Sequence, residues 1–185
     1  MMAANISNSF IVKLLELFDS EDPRERDYLK TITHRIYGKF MVLRGYIRTQ
    51  VMNMLLFITY EKEEHNGLTE LLEILSSVIS GFASPLKPEH REFACKVLIP
   101  LHKVRGMQNF NTQLQTCMKN FIEKDKTIGI DIICGLLKYW PITCPAKEVV
   151  FITEIEEIID LVGNEANLKF QHYGPKLLKR LVITA

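Results

Sequence analysis

Apolar residues recur along this chain at three- and four-residue spacing, the period of a helix rather than of a strand. Ile11, Leu14, Leu15 and Phe18 open the series as a single stripe. Asp22-Pro23 follows, an N-cap residue ahead of a proline at the first helical position, and predicts a helix from there to about Tyr37, where Gly38 weakens the propensity. The same reading places helices near residues 42–60, 68–80, 89–98, 113–122, 128–139, 147–162 and 175–183. No alternating pattern with hairpin turns interrupts them, so the expected class is all-α.

Turn residues punctuate the series at 64–67, 81–88, 100–109, 124–127, 140–146 and 163–174. Helix pairs therefore begin near Arg24, Leu68, Gln113 and Lys147, a period of roughly 40 residues in the range of HEAT-like repeats. In the helix at 68–80, Leu68, Leu71, Leu72, Leu75 and Ile79 share one stripe while Ile74 and Val78 lie well off it. A helix stacked between two neighbours needs so wide an apolar surface. The expectation is one domain, 1–185, a HEAT-like α-solenoid of antiparallel helix pairs, with a closed four-helix bundle as the structural alternative. The apolar run Leu177-Leu178 and Leu181-Val182-Ile183 resembles the end of an array cut short, or one completed by another chain.

Composition narrows the function classes. Apolar residues make up 47% of the chain and charged residues 24%, with a formal net charge of +1; no global field points to nucleic acid or to an anionic membrane. Lys13 and Glu16 break the first apolar run, which is too short to cross a bilayer and lacks the features of a signal peptide. Asn5-Ile6-Ser7 fits the glycosylation sequon, a tripeptide common by chance. Cys95, Cys117, Cys134 and Cys144 form neither a CxxC pair nor a zinc-finger spacing and are expected as small buried thiols in a reducing compartment, which implies a cytoplasmic or nuclear address.

Catalytic motifs are missing from the sequence: no HExxH, GxSxG or P-loop occurs. Glu61-Lys62-Glu63-Glu64-His65 has no second ligand at helical spacing, and Ile36 follows His34-Arg35 where a kinase loop requires aspartate. No enzyme activity, metal or cofactor is expected. One cluster is more informative. Helical geometry puts Leu29, Ile32, Ile36 and Phe40 on one side, and Thr31, His34 and Arg35 together on the other, with Tyr37 at the border and Arg44 and Arg48 on the next helix. Arginine forks and an amphipathic tyrosine beside apolar residues suit a peptide that carries both apolar and acidic side chains. The competing reading makes them solvated basic residues in helix-terminal or salt-bridge roles. Lys87 and His90 flank Pro88 at a helix start, where positive charge opposes the helix dipole.

Long collinear runs resemble a known family. Leu17-Phe18-Asp19-Ser20-Glu21-Asp22-Pro23-Arg24-Glu25-Arg26-Asp27, His34-Arg35-Ile36-Tyr37-Gly38-Lys39-Phe40, His65-Asn66-Gly67, Pro100-Leu101-His102-Lys103 and Leu136-Leu137-Lys138-Tyr139-Trp140-Pro141 resemble the B-prime regulatory subunits of protein phosphatase 2A, collinearly from about Leu14 to Leu161. The resemblance implies a HEAT-like solenoid that joins a scaffold and a catalytic phosphatase subunit. It implies recruitment of substrates through LxxIxE-type motifs, often phosphorylated, in a groove between the first two helix pairs. It carries the peptide-binding role to Thr31, His34, Arg35, Tyr37 and Arg44, then to Glu73, Ile74, Val78, Lys87 and His90. Val78 departs from the family's isoleucine by one methylene, which loosens an apolar pocket without abolishing it. An adaptor that docks folded partners through its loops, without peptide recognition, is the competing function.

Overall fold

The computed structural model describes residues 6–62, 64–164 and 169–184, so Asn5 of the sequon and Glu63 of the acidic stretch lie outside it. The described chain is helical throughout: α1 (Asn8–Glu16), α2 (Pro23–Lys39), α3 (Arg44–Tyr60), α4 (Leu68–Ser80), α5 (Pro88–Phe93), α6 (Ile99–Leu101), α7 (Asn111–Lys124), α8 (Ile128–Lys138), α9 (Pro145–Val162) and α10 (Phe170–Thr184). No strand occurs among the described residues. The chain forms two compact units, Met1–Leu75 and Ser76–Ala185, with the boundary inside α4.

In the first unit, Asp22 caps α2 by accepting from Arg24 with Pro23 at N1, as the sequence predicted, and Ser7 caps α1 by accepting the Phe10 N–H, a cap the sequence reading does not assign. α2 runs past Tyr37 to Lys39. Gly38 does not stop it because the Arg44 guanidinium donates to the carbonyls of Tyr37 and Gly38, at 2.9 and 3.0 Å, and so satisfies acceptors of the last turn. Arg26 at the start of α2 meets Glu70 at the start of α4, and Lys30 one turn on meets Glu73. The two helices therefore run parallel. Partners in this unit are 43 or 44 residues apart for these pairs and for Asp19–Lys62.

In the second unit, α8 and α9 run antiparallel: Gly129 at the start of α8 lies against Val162 at the end of α9, while Trp140 after α8 bonds Glu148 early in α9. A Cβ on Gly129 would stand 2.3 Å from Val162, which explains a glycine inside a helix. Long-range polar contacts again join residues 40–44 apart: Ser76–Asn120, Ser84–Lys124, Arg91–Asp131 and Val104–Lys147. Other pairs range from 34 residues (Arg91–Asp125) to 52 (His102–Glu154), so the offsets cluster near 40, as stacked helical repeats require.

Two sequence-based boundaries differ. Pro100 does not begin a loop; a π turn over Ala94–Leu98, with the Ile99 N–H on the Ala94 carbonyl, widens the helix just before the proline and lets it continue through Leu101. α10 begins at Phe170 and carries Pro175 inside it rather than at its start. The buried ring of Tyr173, edge-on to Phe170, anchors that extra turn, so packing overrides the proline signal. The four thiols are free, but only Cys117 is buried; Cys134, on the outward side of α8, is exposed and corrects the expectation of uniformly buried cysteines.

Candidate functional site: a cationic helix end

The end of α2 and the start of α3 bring Tyr37, Arg44 and Arg48 together. The Arg44 guanidinium lies over the Tyr37 ring, 5.4 Å from its centroid, and Arg48 Nη1 donates to the Tyr37 hydroxyl at 3.1 Å. The ring is thus held by two guanidinium groups, one on its face and one at its oxygen. Nε and Nη2 of Arg44 serve the carbonyls of α2, and its Nη1 has no acceptor among the described residues. His34 and Arg35, exposed on the last turns of α2, also lack a hydrogen-bond or ion-pair partner among the described residues.

Other arginines of the molecule behave differently. Arg24, Arg26 and Arg91 each meet a carboxylate. Arg44 and Arg48 meet none among the described residues, although they converge on one ring. The negative end of the α2 dipole offsets part of their mutual repulsion. What remains is a preformed cationic surface with free guanidinium donors, suited to a carboxylate or phosphate. Arg44 accordingly has both roles that the sequence left open: it satisfies a helix end and it keeps donors for an anion.

The remaining predicted residues are placed less simply. The Thr31 hydroxyl donates back to the Asp27 carbonyl at 3.1 Å, which occupies its proton. Glu73 forms an ion pair with Lys30 at 2.8 Å, and Lys30 also pairs with Asp27, so the two carboxylates hold the Lys30 ammonium well above its ordinary pKa. Ile74 and Val78 are buried, at 3% and 6% exposure. In the second unit Lys87 is exposed, and the His90 ring stacks on Phe82 with centroids 3.8 Å apart and its Nε2 3.4 Å from Glu89. Among the described residues, no group of His, Cys, Asp and Glu could hold a metal ion, and no helix is long and apolar enough to cross a membrane. Sequence reasoning missed Lys30 as the partner of Glu73; only stacking of α2 on α4 brings the two within reach.

Comparison with known proteins bears on the same residues. The family described as "Protein phosphatase 2A regulatory B subunit (B56 family)" matches residues 1–184. The chain is 57% identical over 157 residues to the human serine/threonine-protein phosphatase 2A 56 kDa regulatory subunit alpha isoform, covering 85% of this chain and 32% of that protein. It is 55% identical over 177 residues to the rabbit beta isoform, 96% of this chain and 35% of the relative. The Caenorhabditis elegans regulatory subunit pptr-1 is 54% identical over 160 residues, 86% of this chain and 30% of the relative. The chain thus spans about a third of the length of these relatives. A match along nearly every residue, carried by the runs that resemble the B-prime subunits, shows that this chain belongs to the B56 family of protein phosphatase 2A regulatory B subunits.

Proposed function

We propose that this chain recruits substrates to protein phosphatase 2A by binding short linear motifs of the LxxIxE type, and that the motif's glutamate, or a phosphate beside it, is taken by the cationic end of α2 and α3. The observation that carries the reading is the convergence of Arg44 and Arg48 on Tyr37 with no carboxylate of their own among the described residues. Two preorganised guanidinium groups lose little side-chain entropy on meeting an anion, so more of the interaction energy appears as affinity. His34 and Arg35, exposed nearby on α2, extend the anion-binding surface, and Thr31 borders it. Glu73 fixes Lys30. The family resemblance adds Ile74 and Val78 as apolar contacts and assigns Lys87 and His90 to flanking acids. The assembly partners are the scaffold and catalytic subunits of the phosphatase. Recruitment requires no chemistry on this chain: tethering the substrate raises its effective concentration at a separate active site.

Calorimetric titration with an LxxIxE peptide, with and without a phosphate in the motif, tests the reading. Tight binding that weakens with salt is expected, strengthened by the phosphate and reduced about tenfold or more by Arg44→Ala or Arg48→Ala. Equal affinities for wild type and both variants would remove this surface from the function. An absence of peptide binding, with stable co-elution of a scaffold subunit, would favour the loop-docking adaptor instead.

A further inference from the structure

The segment that joins α4 to α5 carries the sequence Ser84-Pro85-Leu86-Lys87. A hydroxyl, a proline directly after it and a lysine three residues on form the pattern that proline-directed protein kinases read. The proline brings no N–H to be left unpaired in the kinase cleft, and the lysine supplies a charge to it. Ser84, Pro85 and Lys87 are all exposed and lie outside any helix, so the acceptor oxygen is open to an approaching enzyme.

The two ends of the segment are pinned, and its middle is held by one hydrogen bond. At the ends, the Phe82 ring stacks on His90 with centroids 3.8 Å apart and leans on buried Phe121 at 6.1 Å. Between them, the Ser84 hydroxyl donates to the Lys124 carbonyl at 3.0 Å, and residues 83–86 make no other hydrogen bond among the described residues. Lys124 is the last residue of α7, so that carbonyl is one of the acceptors a helix leaves unpaired at its C-terminus. The proton that holds the segment is the one a phosphoryl group would replace.

A phosphate on Ser84 changes three things at once. Its ester oxygen has no proton, so the Lys124 carbonyl loses its donor. About two negative charges arrive at the negative end of the α7 dipole, which repels them. The Lys87 ammonium, three residues on along an irregular chain, is exposed and meets no carboxylate among the described residues. Asp125, which follows Lys124, is already held by Arg91 at 3.1 Å and leaves Lys87 to the phosphate.

We propose that Ser84 is a phosphorylation site for a proline-directed kinase and that its phosphate closes on Lys87, which removes from peptide binding the cation that the family resemblance assigns to flanking acids. In the transfer, Ser84 Oγ bonds the γ-phosphorus of ATP, the bond from that phosphorus to its bridging oxygen breaks, ADP leaves, and the hydroxyl proton passes to the kinase's base. The modification stands on the segment alone; its effect on peptide binding rests on the LxxIxE reading.

Incubation of the whole chain with ATP and a cyclin-dependent kinase, followed by mass spectrometry of the digested product, should place a phosphate on Ser84 and none on the same peptide of Ser84→Ala. An unmodified Ser84 after exhaustive incubation overturns the site. Phosphorus NMR reads the contact with Lys87 without any ligand, on protein in which phosphoserine is installed at position 84 during translation. The phosphate should titrate at lower pH with Lys87 present than in Lys87→Ala; equal midpoints overturn the contact. Calorimetry reads the consequence. An LxxIxE peptide flanked by aspartates should bind the phosphorylated chain about tenfold more weakly than the unmodified one, and an alanine-flanked peptide should change by less than about twofold. Equal loss for both peptides, or none for either, overturns the regulation. If the unmodified chain binds neither peptide, the LxxIxE reading fails, and the Ser84 site is then decided by the mass-spectrometric and NMR results.

Discussion

The two units handle their polar side chains in opposite ways. In the second unit the interior itself is polar in places: His102 and Glu154, each almost fully buried, face one another at 3.2 Å, and the Trp140 indole donates to buried Glu148. Phe151 packs edge-on to both the His102 and Trp140 rings. In the first unit the ion pairs Arg26–Glu70, Lys30–Glu73 and Lys62–Asp19 sit at the margin between helices, and the one nearly buried titratable ring among the described residues, His65, lies 3.9 Å from half-exposed Asp19. Alongside them Arg44, Arg48, His34 and Arg35 meet no carboxylate among the described residues. One region consumes its polar groups in holding helices together. The other keeps a surplus at the surface, and a surplus of donors is what an anionic ligand requires.

The comparison is broken most severely at His102. Its Nδ1 faces the Ile99 carbonyl at 2.9 Å and its Nε2 faces the Glu154 carboxylate, so both ring nitrogens donate and the ring is cationic. Truncation by His102→Ala strands a buried carboxylate and should cost on the order of 3 kcal/mol or more in urea-denaturation experiments at pH 6. Burial opposes the ring's charge, but the Glu154 carboxylate outweighs burial and raises the pKa above the ordinary 6.5. The stabilisation is therefore complete below about pH 6.5 and is lost as pH rises through the raised folded value. The gap between wild type and variant should narrow on the alkaline side; a gap that widens there would show that the ring is neutral in the fold.

A comparable effect in the first unit requires a backbone clash rather than a lost ion pair. Gly67→Ala drives a Cβ against the Phe18 carbonyl, which cannot rotate away, and should cost about 3 kcal/mol in thermal melts. Arg26→Ala should cost less, about 2 kcal/mol, because Glu70 is only partly buried and water reaches it once the guanidinium is gone. Arg26 also serves the Ser20 and Glu21 carbonyls, so Arg26→Lys should recover only part of that loss. Arg48→Ala is the smallest change: its bond to the Tyr37 hydroxyl is half exposed, and stability should shift by less than about 1 kcal/mol while peptide affinity falls. A stability loss for Arg48→Ala as large as that for Arg26→Ala would place the cationic cluster among the structural contacts and end the contrast between the units.

Helix class and most helix positions were legible in the sequence because they depend on local information. Side-chain period, the Asp22-Pro23 cap and the turn at 64–67 act within a few residues of themselves. The cations of α2 and α3 were legible too, since their spacing on a helix follows from chain geometry. Their pairing was not. Whether Glu73 is free, whether Ile74 and Val78 are open, whether His65 is neutral and whether His102 is charged all depend on residues 40 or more positions away, or on how deeply the side chain is covered. Stacking register sets those distances, and a shift of one helical turn, about 5.4 Å, would exchange every partner. The amino-acid order thus determined which charges this protein carries and on which helix faces. Only the packed structure decided which of them are satisfied internally and which remain for a partner, because desolvation and ion pairing are properties of neighbours in space.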